Sequence, residues 1–217
     1  MAPLLVFCVA CIGDLVEVES VSGIETLVEK TESGNGLDEL FDEYSKMVGW
    51  LRIDGTKINY PVMQAEDNVW FLSRAYDGEY SGAGSLFVDY RNNAFDDDFM
   101  VIYGHRMSGE NMFSEIVKFS DEEFLRRNNF GILHTRNGKL KLWFYAYAEV
   151  ETSVSEIYEL GAFRNGENDR ILTAVNEKIV ARSGLDLSAR DKIIVLSTCD
   201  RSRRNYRNIL IARIEKV

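Results

Sequence analysis

Residues 193–200 read Ile193-Ile194-Val195-Leu196-Ser197-Thr198-Cys199-Asp200. Four apolar residues in a row, three of them β-branched, are what a strand buried on both faces requires. The run ends at a thiol, and the polar stretch Arg201-Ser202-Arg203-Arg204 follows at once. Cys199 therefore stands at a strand end beside a loop. Cationic neighbours favour the thiolate form of such a group. A cysteine in a β-rich core is more often only a small apolar residue, so the thiol alone decides nothing.

Two other runs supply what the thiol lacks. Phe99 to Tyr103 is almost continuously apolar and ends at Gly104-His105. Glycine permits a sharp exit from a strand and close approach of another backbone. Imidazole exchanges protons near neutral pH. The other histidine, His134, lies inside a hairpin strand beside Thr135 and Arg136 with no glycine exit, and is the weaker candidate. Arg207 opens the last apolar run, eight residues after Cys199 (207 − 199). If those two strands pair antiparallel, the loop returns the guanidinium to the thiol, where it can donate to an oxyanion. Arg204 competes for that role. A thiol, an imidazole and a guanidinium, each at a strand tip, are the minimum set for acyl transfer through a thioester.

The rest of the chain reads as mostly β. Strands are expected near residues 50–53, 58–62, 85–89, 99–103, 131–135, 140–150, 192–198 and 208–215, the fifth and sixth joined by an Asn137-Gly138 turn. Leu37, Leu40, Phe41, Tyr44 and Met47 recur at helical spacing up to Gly49, and Ile171 to Val180 do so up to Gly184. A short helix is expected over Met112–Phe119, with a Ser120-x-x-Glu123 capping box for the next. Closely spaced strands with few helices predict an eight-stranded barrel with peripheral helices, one N-terminal and one between strands six and seven.

The chain has 217 residues, 46% hydrophobic, with a formal net charge of −10. That is enough for one sizeable core, and the acidic balance argues against nucleic acid as a partner. No glycine-rich nucleotide motif is present. Residues Pro3 to Gly13 are apolar, yet a spanning helix needs roughly 20 such residues. This predicts that residues 1–13 are the remnant of an N-terminal signal-anchor, residues 14–36 an acidic stalk, and residues 37–217 the catalytic domain. Cys8 and Cys11 read as small apolar residues of the first run, because no second ligand pair accompanies them. No metal or cofactor is expected.

The motifs resemble the sortases, class B in particular. Val195-Leu196-Ser197-Thr198-Cys199 is similar to the family's T-L-x-T-C, with Val195 in place of Thr. Tyr103-Gly104-His105 resembles its histidine segment, and Arg207 its arginine. Val48 to Ile53, Asn59 to Val62 and Gly84 to Asp89 agree as well, and the resemblance covers roughly residues 37 to 217. It implies a cysteine transpeptidase with His105, Cys199 and Arg207 as catalytic residues. Ser197, Thr198, Ser73, Tyr76, Ser85 and Arg204 would line the substrate groove. The implied partners are a sorting-signal peptide of a secreted surface protein and an amine of peptidoglycan or pilin. The implied location is the cell membrane, with the catalytic domain on the extracellular face. Two other readings of the residues stay open: a cysteine peptidase that uses water, and a non-catalytic anchored barrel.

Overall fold

A computed structural model describes residues 24–31, 36–152, 156–158, 166 and 168–217. The expected anchor remnant with Cys8 and Cys11, and most of the expected stalk, lie outside the described residues. Among the described residues, no helix is long and apolar enough to cross a membrane.

Nine strands form one sheet: β1 (Met47–Arg52), β2 (Asn59–Met63), β3 (Leu86–Val88), β4 (Phe99–Tyr103), β5 (Phe130–Thr135), β6 (Gly138–Glu151), β7 (Ile179–Arg182), β8 (Ile193–Cys199) and β9 (Tyr206–Lys216). Their order is β5-β1-β2-β3-β4-β8-β9-β6-β7, and a further β5–β6 pairing joins the ends. Eight strands thus close into a barrel, while β7 pairs only with β6. Closure leaves no free edge along the barrel itself. The β2–β3 and β4–β8 pairs are parallel, and the other pairs are antiparallel.

Alternation along each strand divides the apolar residues between two faces. Leu86, Met100, Ile102, Ile194, Leu196 and Leu210 point into the barrel with Phe113 and Phe144. Val101, Val195, Ile209 and Ile211 point outward beneath Ile157, Ile171 and Val175. A second outer layer packs Leu27, Leu40 and Phe41 on Trp50, Met63 and Phe87. Each such side chain, fully buried, contributes roughly 1.5–3 kcal/mol. The barrel is therefore clad in two patches, one from helices α1 (Ile24–Thr31) and α2 (Gly36–Glu43), the other from a 3-10 turn at Glu156–Tyr158 and helix α4 (Asn168–Asn176). Tyr103 packs against both layers, so it marks the seam between them.

Three local expectations are corrected. Helix α2 stops at Glu43, and Met47 to Gly49 belong to β1. The apolar stripe misled because Leu40 and Met47 pack in one cluster from two different elements. Gly49 serves close packing instead: a Cβ there would lie 3.0 Å from Leu133 Cδ1 and 3.0 Å from Phe95 Cε2. Secondly, α4 ends at Asn176, and Ile179–Arg182 form β7 on the outer edge of β6. The β-branched Ile179-Val180 pair suits a strand when an edge is there to receive it. Thirdly, Phe113–Ser120 is a 3-10 run, and the cap of helix α3 (Glu122–Arg127) is Asp121. Its Oδ1 accepts from the Glu123 and Phe124 N–H groups at 2.8 and 3.0 Å, a cap worth about 1 kcal/mol. The Ser120 hydroxyl donates to the Val117 carbonyl instead.

Candidate active site

The register of three neighbouring strands places the chemistry. β8 lies between β4 and β9, parallel to the first and antiparallel to the second. Cys199 is directly opposite Arg207 across β8–β9. Tyr103 is opposite Ser197 across β4–β8, and the Gly104 N–H donates to the Ser197 carbonyl at 3.1 Å. His105 thus lies two residues beyond the last rung of β4, as Cys199 lies two residues beyond Ser197 on β8. Imidazole, thiol and guanidinium thus belong to one row of strand-end positions across β4, β8 and β9.

The strand positions of that row share one face. Val101, Val195, Ile209 and Ile211 point outward, so by alternation Tyr103, Ser197, Cys199 and Arg207 do too. The row sits on the outer wall of the barrel, near the strand ends, at the seam between the two cladding layers. Arg207 is 8% exposed although it is charged. Its Nη1 donates to the Tyr206 carbonyl at 3.0 Å.

Gly104 makes the His105 exit possible. A Cβ on it would stand 2.4 Å from Leu86 Cδ2 and 2.6 Å from Phe113 Cδ2. Beyond it, His105 Nε2 lies 2.7 Å from the Leu72 carbonyl oxygen. A carbonyl only accepts, so Nε2 carries a hydrogen and Nδ1 is the basic nitrogen of the neutral ring. Burial lowers the His105 pKa below its ordinary 6.5. The Leu72 carbonyl opposes that shift, and the Arg207 charge adds to it. The resting imidazole is thus neutral at neutral pH.

Tyr158, which no motif of the sequence marks, forms part of the same wall. Its hydroxyl is 2.8 Å from Ser197 Oγ. Burial raises its pKa to about 12, the Ser197 hydrogen bond and Arg207 oppose the rise, and Cys199 adds to it. Tyr158 thus lies within electrostatic reach of both the thiol and the guanidinium.

The residues expected to line the substrate groove divide by position. Ser197 is on the outer face two residues before the thiol, 1% exposed. Thr198 points inward, is 2% exposed, and its Oγ1 has no hydrogen-bond partner. Beside it, the interior Asn208 accepts from the Tyr147 hydroxyl at 2.6 Å and donates to the Cys199 carbonyl at 3.3 Å. Ser85 precedes β3, where the β3–β4 register brings it level with His105, and its hydroxyl donates to the Arg74 carbonyl at 2.9 Å. Tyr76 packs edge-on against Tyr44. Tyr76 and Ser85 line a cavity of about 30 Å³ with Ile24, Tyr60 and Met112. Ser73 closes the 3-10 turn Trp70–Leu72. Arg204 is exposed in the β8–β9 loop. That loop is folded onto Asp200, whose carboxylate accepts from Ser202 and Arg203. His134 sits far round the barrel, opposite Trp50 and Lys139. Among the described residues no group of acidic, histidine and cysteine side chains could hold a metal ion.

A closed eight-stranded barrel with a cysteine and an arginine paired across adjacent strands, and a histidine just past the end of the next strand, defines a narrow class of protein. Residues 51–215 match the Sortase domain. The chain is 36% identical to sortase B of Listeria monocytogenes over 173 residues, 77% of this chain and 70% of that protein. It superposes on a mutant form of Clostridium perfringens sortase B with a TM-score of 0.80 at 26% identity, over 91% of this chain and 99% of the other. A Streptococcus pyogenes class B sortase involved in pilus biogenesis gives a TM-score of 0.74 at 30% identity, over 82% and 97%. The chain belongs to the sortase family, class B, and is a cysteine transpeptidase.

Proposed function

We propose that Cys199, His105 and Arg207 carry the transfer. The Cys199 sulfur attacks a backbone carbonyl in the sorting signal of a secreted protein, and the thiol proton passes to Nδ1 of His105. The tetrahedral intermediate collapses, the C–N bond breaks, and the leaving amine takes that proton from His105. A thioester remains. An incoming amine from a cell-wall peptide or a pilin gives its proton to His105 and attacks the thioester, and the thiolate is reprotonated as it leaves. Arg207 donates to the oxyanion in both halves. Thiol and imidazole exchange one proton, so their titrations belong to the pair.

The observation that carries this reading is the row itself. What supports it is an antiparallel ladder that sets Arg207 opposite Cys199 and a parallel ladder that ends two residues before both His105 and Cys199. The depressed His105 pKa fits a ring that starts neutral and accepts the thiol proton. Ser197 and Tyr158 flank the path of the donor peptide along the seam. We further propose that residues 37–217 form the catalytic domain, held outside the membrane by the segment preceding residue 14.

The test is a screen of five-residue signal peptides with and without triglycine. A transpeptidase converts the chosen peptide to an amide with triglycine, and the yield rises with amine concentration. Cleavage to the acid alone, unchanged by added amine, would make the protein a hydrolase.

A further inference from the structure

A buried ion pair lies beneath the seam, at the level of Val101, four residues before His105. Asp89 is fully buried and Arg91 nearly so, and Arg91 Nη2 lies 2.7 Å from Asp89 Oδ2. Arg91 Nε adds a bond to Asp89 Oδ1 at 2.8 Å. This two-pronged contact uses the geometry in which guanidinium and carboxylate match best. The same carboxylate accepts from the Tyr103 hydroxyl at 2.8 Å. Burial would raise the Asp89 pKa, but the Arg91 contacts and the Tyr103 hydroxyl outweigh it, so the carboxylate stays ionised.

The network continues from there into the wall of the site. Arg91 Nη1 reaches out of the pair and donates to the Tyr158 carbonyl at 3.3 Å. The Tyr158 hydroxyl meets Ser197 Oγ, and its ring stacks on that of Tyr103 with centroids 6.3 Å apart. Ser197 and Tyr103 are register partners. The contacts therefore close a ring: Asp89, Tyr103, Ser197, Tyr158, Arg91 and back to Asp89. Two members, Tyr103 and Ser197, lie two residues before His105 and Cys199 on the same face.

We propose that the Asp89–Arg91 pair is a positioning element of the transfer site: Arg91 ties the turn Glu156–Tyr158 to the sheet and so fixes Tyr158 as the wall beside Cys199. A buried ion pair is a costly way to gain stability, because desolvation offsets most of the attraction. It does fix geometry, since leaving one charge unpaired is worse than keeping both. Here the guanidinium also donates, through Nη1, to a backbone carbonyl 67 residues along the chain. That bond adds a polar tether to the burial of Ile157 and Tyr158, the Tyr158 hydroxyl contact and the ring stacking that also hold the turn. The expected consequence is on binding of the donor peptide, not on the reactivity of the thiol.

This inference rests on the acyl-transfer reading for its effect on turnover, but the tether itself is tested without it. Arg91→Lys is the decisive variant. A lysine keeps a charge for Asp89 but cannot grip the carboxylate with two prongs and also reach the Tyr158 carbonyl. Hydrogen–deuterium exchange on the full chain should show the amides of residues 156–158 exchanging at least ten-fold faster in Arg91→Lys, with residues 193–199 unchanged. In peptide turnover, KM should rise at least five-fold, while kcat and the rate of Cys199 alkylation by iodoacetamide stay within two- to three-fold. In a Tyr158→Ala background, Arg91→Lys should change KM no further. Unchanged exchange at 156–158 overturns the tether whether or not the protein turns over peptide. Faster exchange with an unchanged KM, or fully additive effects with Tyr158→Ala, overturns the positioning role. A wild type that alkylates at Cys199 yet transfers no peptide would sink the transfer reading and leave the exchange result to stand or fall alone.

Discussion

The two histidines of this protein stand differently on the barrel wall, and the proposed chemistry uses only one of them. His134 is held inside β5, with Trp50 opposite it on one side and Lys139 on the other. Burial and two cations, Lys139 and Arg52, lower its pKa, but no thiol stands in its row. His105 has left its strand through a glycine. It is oriented by a carbonyl on Nε2, and the strand it leaves is paired with the strand that carries the thiol. Both rings are disfavoured as cations, so a shifted pKa does not distinguish them. What distinguishes them is the orienting partner and the identity of the residue next door.

The comparison can be broken most severely at the thiol. Cys199→Ala should reduce transfer by ~10⁴-fold or more, to the uncatalysed background. Its circular dichroism and thermal midpoint should match wild type, since a sulfur at a partly exposed strand end contributes little packing. Cleavage by that variant at wild-type rates would end the nucleophile assignment. Next in size is His105→Ala, with an expected loss of roughly 10²–10⁴-fold in kcat/KM. A third test sets two arginines side by side. Arg207→Ala should cost about 10²–10³-fold, as for removal of one oxyanion donor, and Arg204→Ala less than ten-fold. The reverse ranking would move the role into the loop.

The pH profile sharpens the same contrast. The folded state lowers the pKa of His105, so folded protein binds a proton there less readily than unfolded chain. Its contribution to stability is therefore intact above the ordinary value of 6.5 and declines as pH falls below it. The acid limb of kcat/KM should likewise have its midpoint below 6.5, and a midpoint above 7 would contradict a neutral resting ring. The smallest effect is expected at the other histidine: His134→Ala should leave kcat/KM within two-fold of wild type, measured with the same peptide.

The parts of this molecule that are legible in the sequence share one property: each is marked where it stands. Cys199, His105 and Arg207 announce themselves by terminating or opening apolar runs. The barrel announces itself through strand spacing and the Asn137-Gly138 turn, which closes β5 onto β6 as expected. Tyr158 has no such mark. Its place depends on contacts with Ser197, 39 residues away, and with Arg91, 67 residues away. Asn208 is a polar residue on the interior face of β9, beside the apolar Leu210 and Ala212, and its use appears only once Tyr147 is known to face it. The location of the row on the outer wall is equally hidden, because alternation reveals two faces but not which of them curls inward. The 168–183 segment misleads for a different reason. A helix and the strand after it both fit one apolar period, and the edge offered by β6 decides where one gives way to the other.

The last strand is gripped along both edges, by β8 through Cys199 and by β6 across eleven residue pairs. Its alignment is consequently independent of the six residues, 200–205, that connect it to β8. That connector can be lengthened, shortened or recoloured in charge while Arg207 keeps its station across from the sulfur. In such an architecture the loop is free to diversify, and the cross-strand pair of Cys199 and Arg207 stays in place beside it.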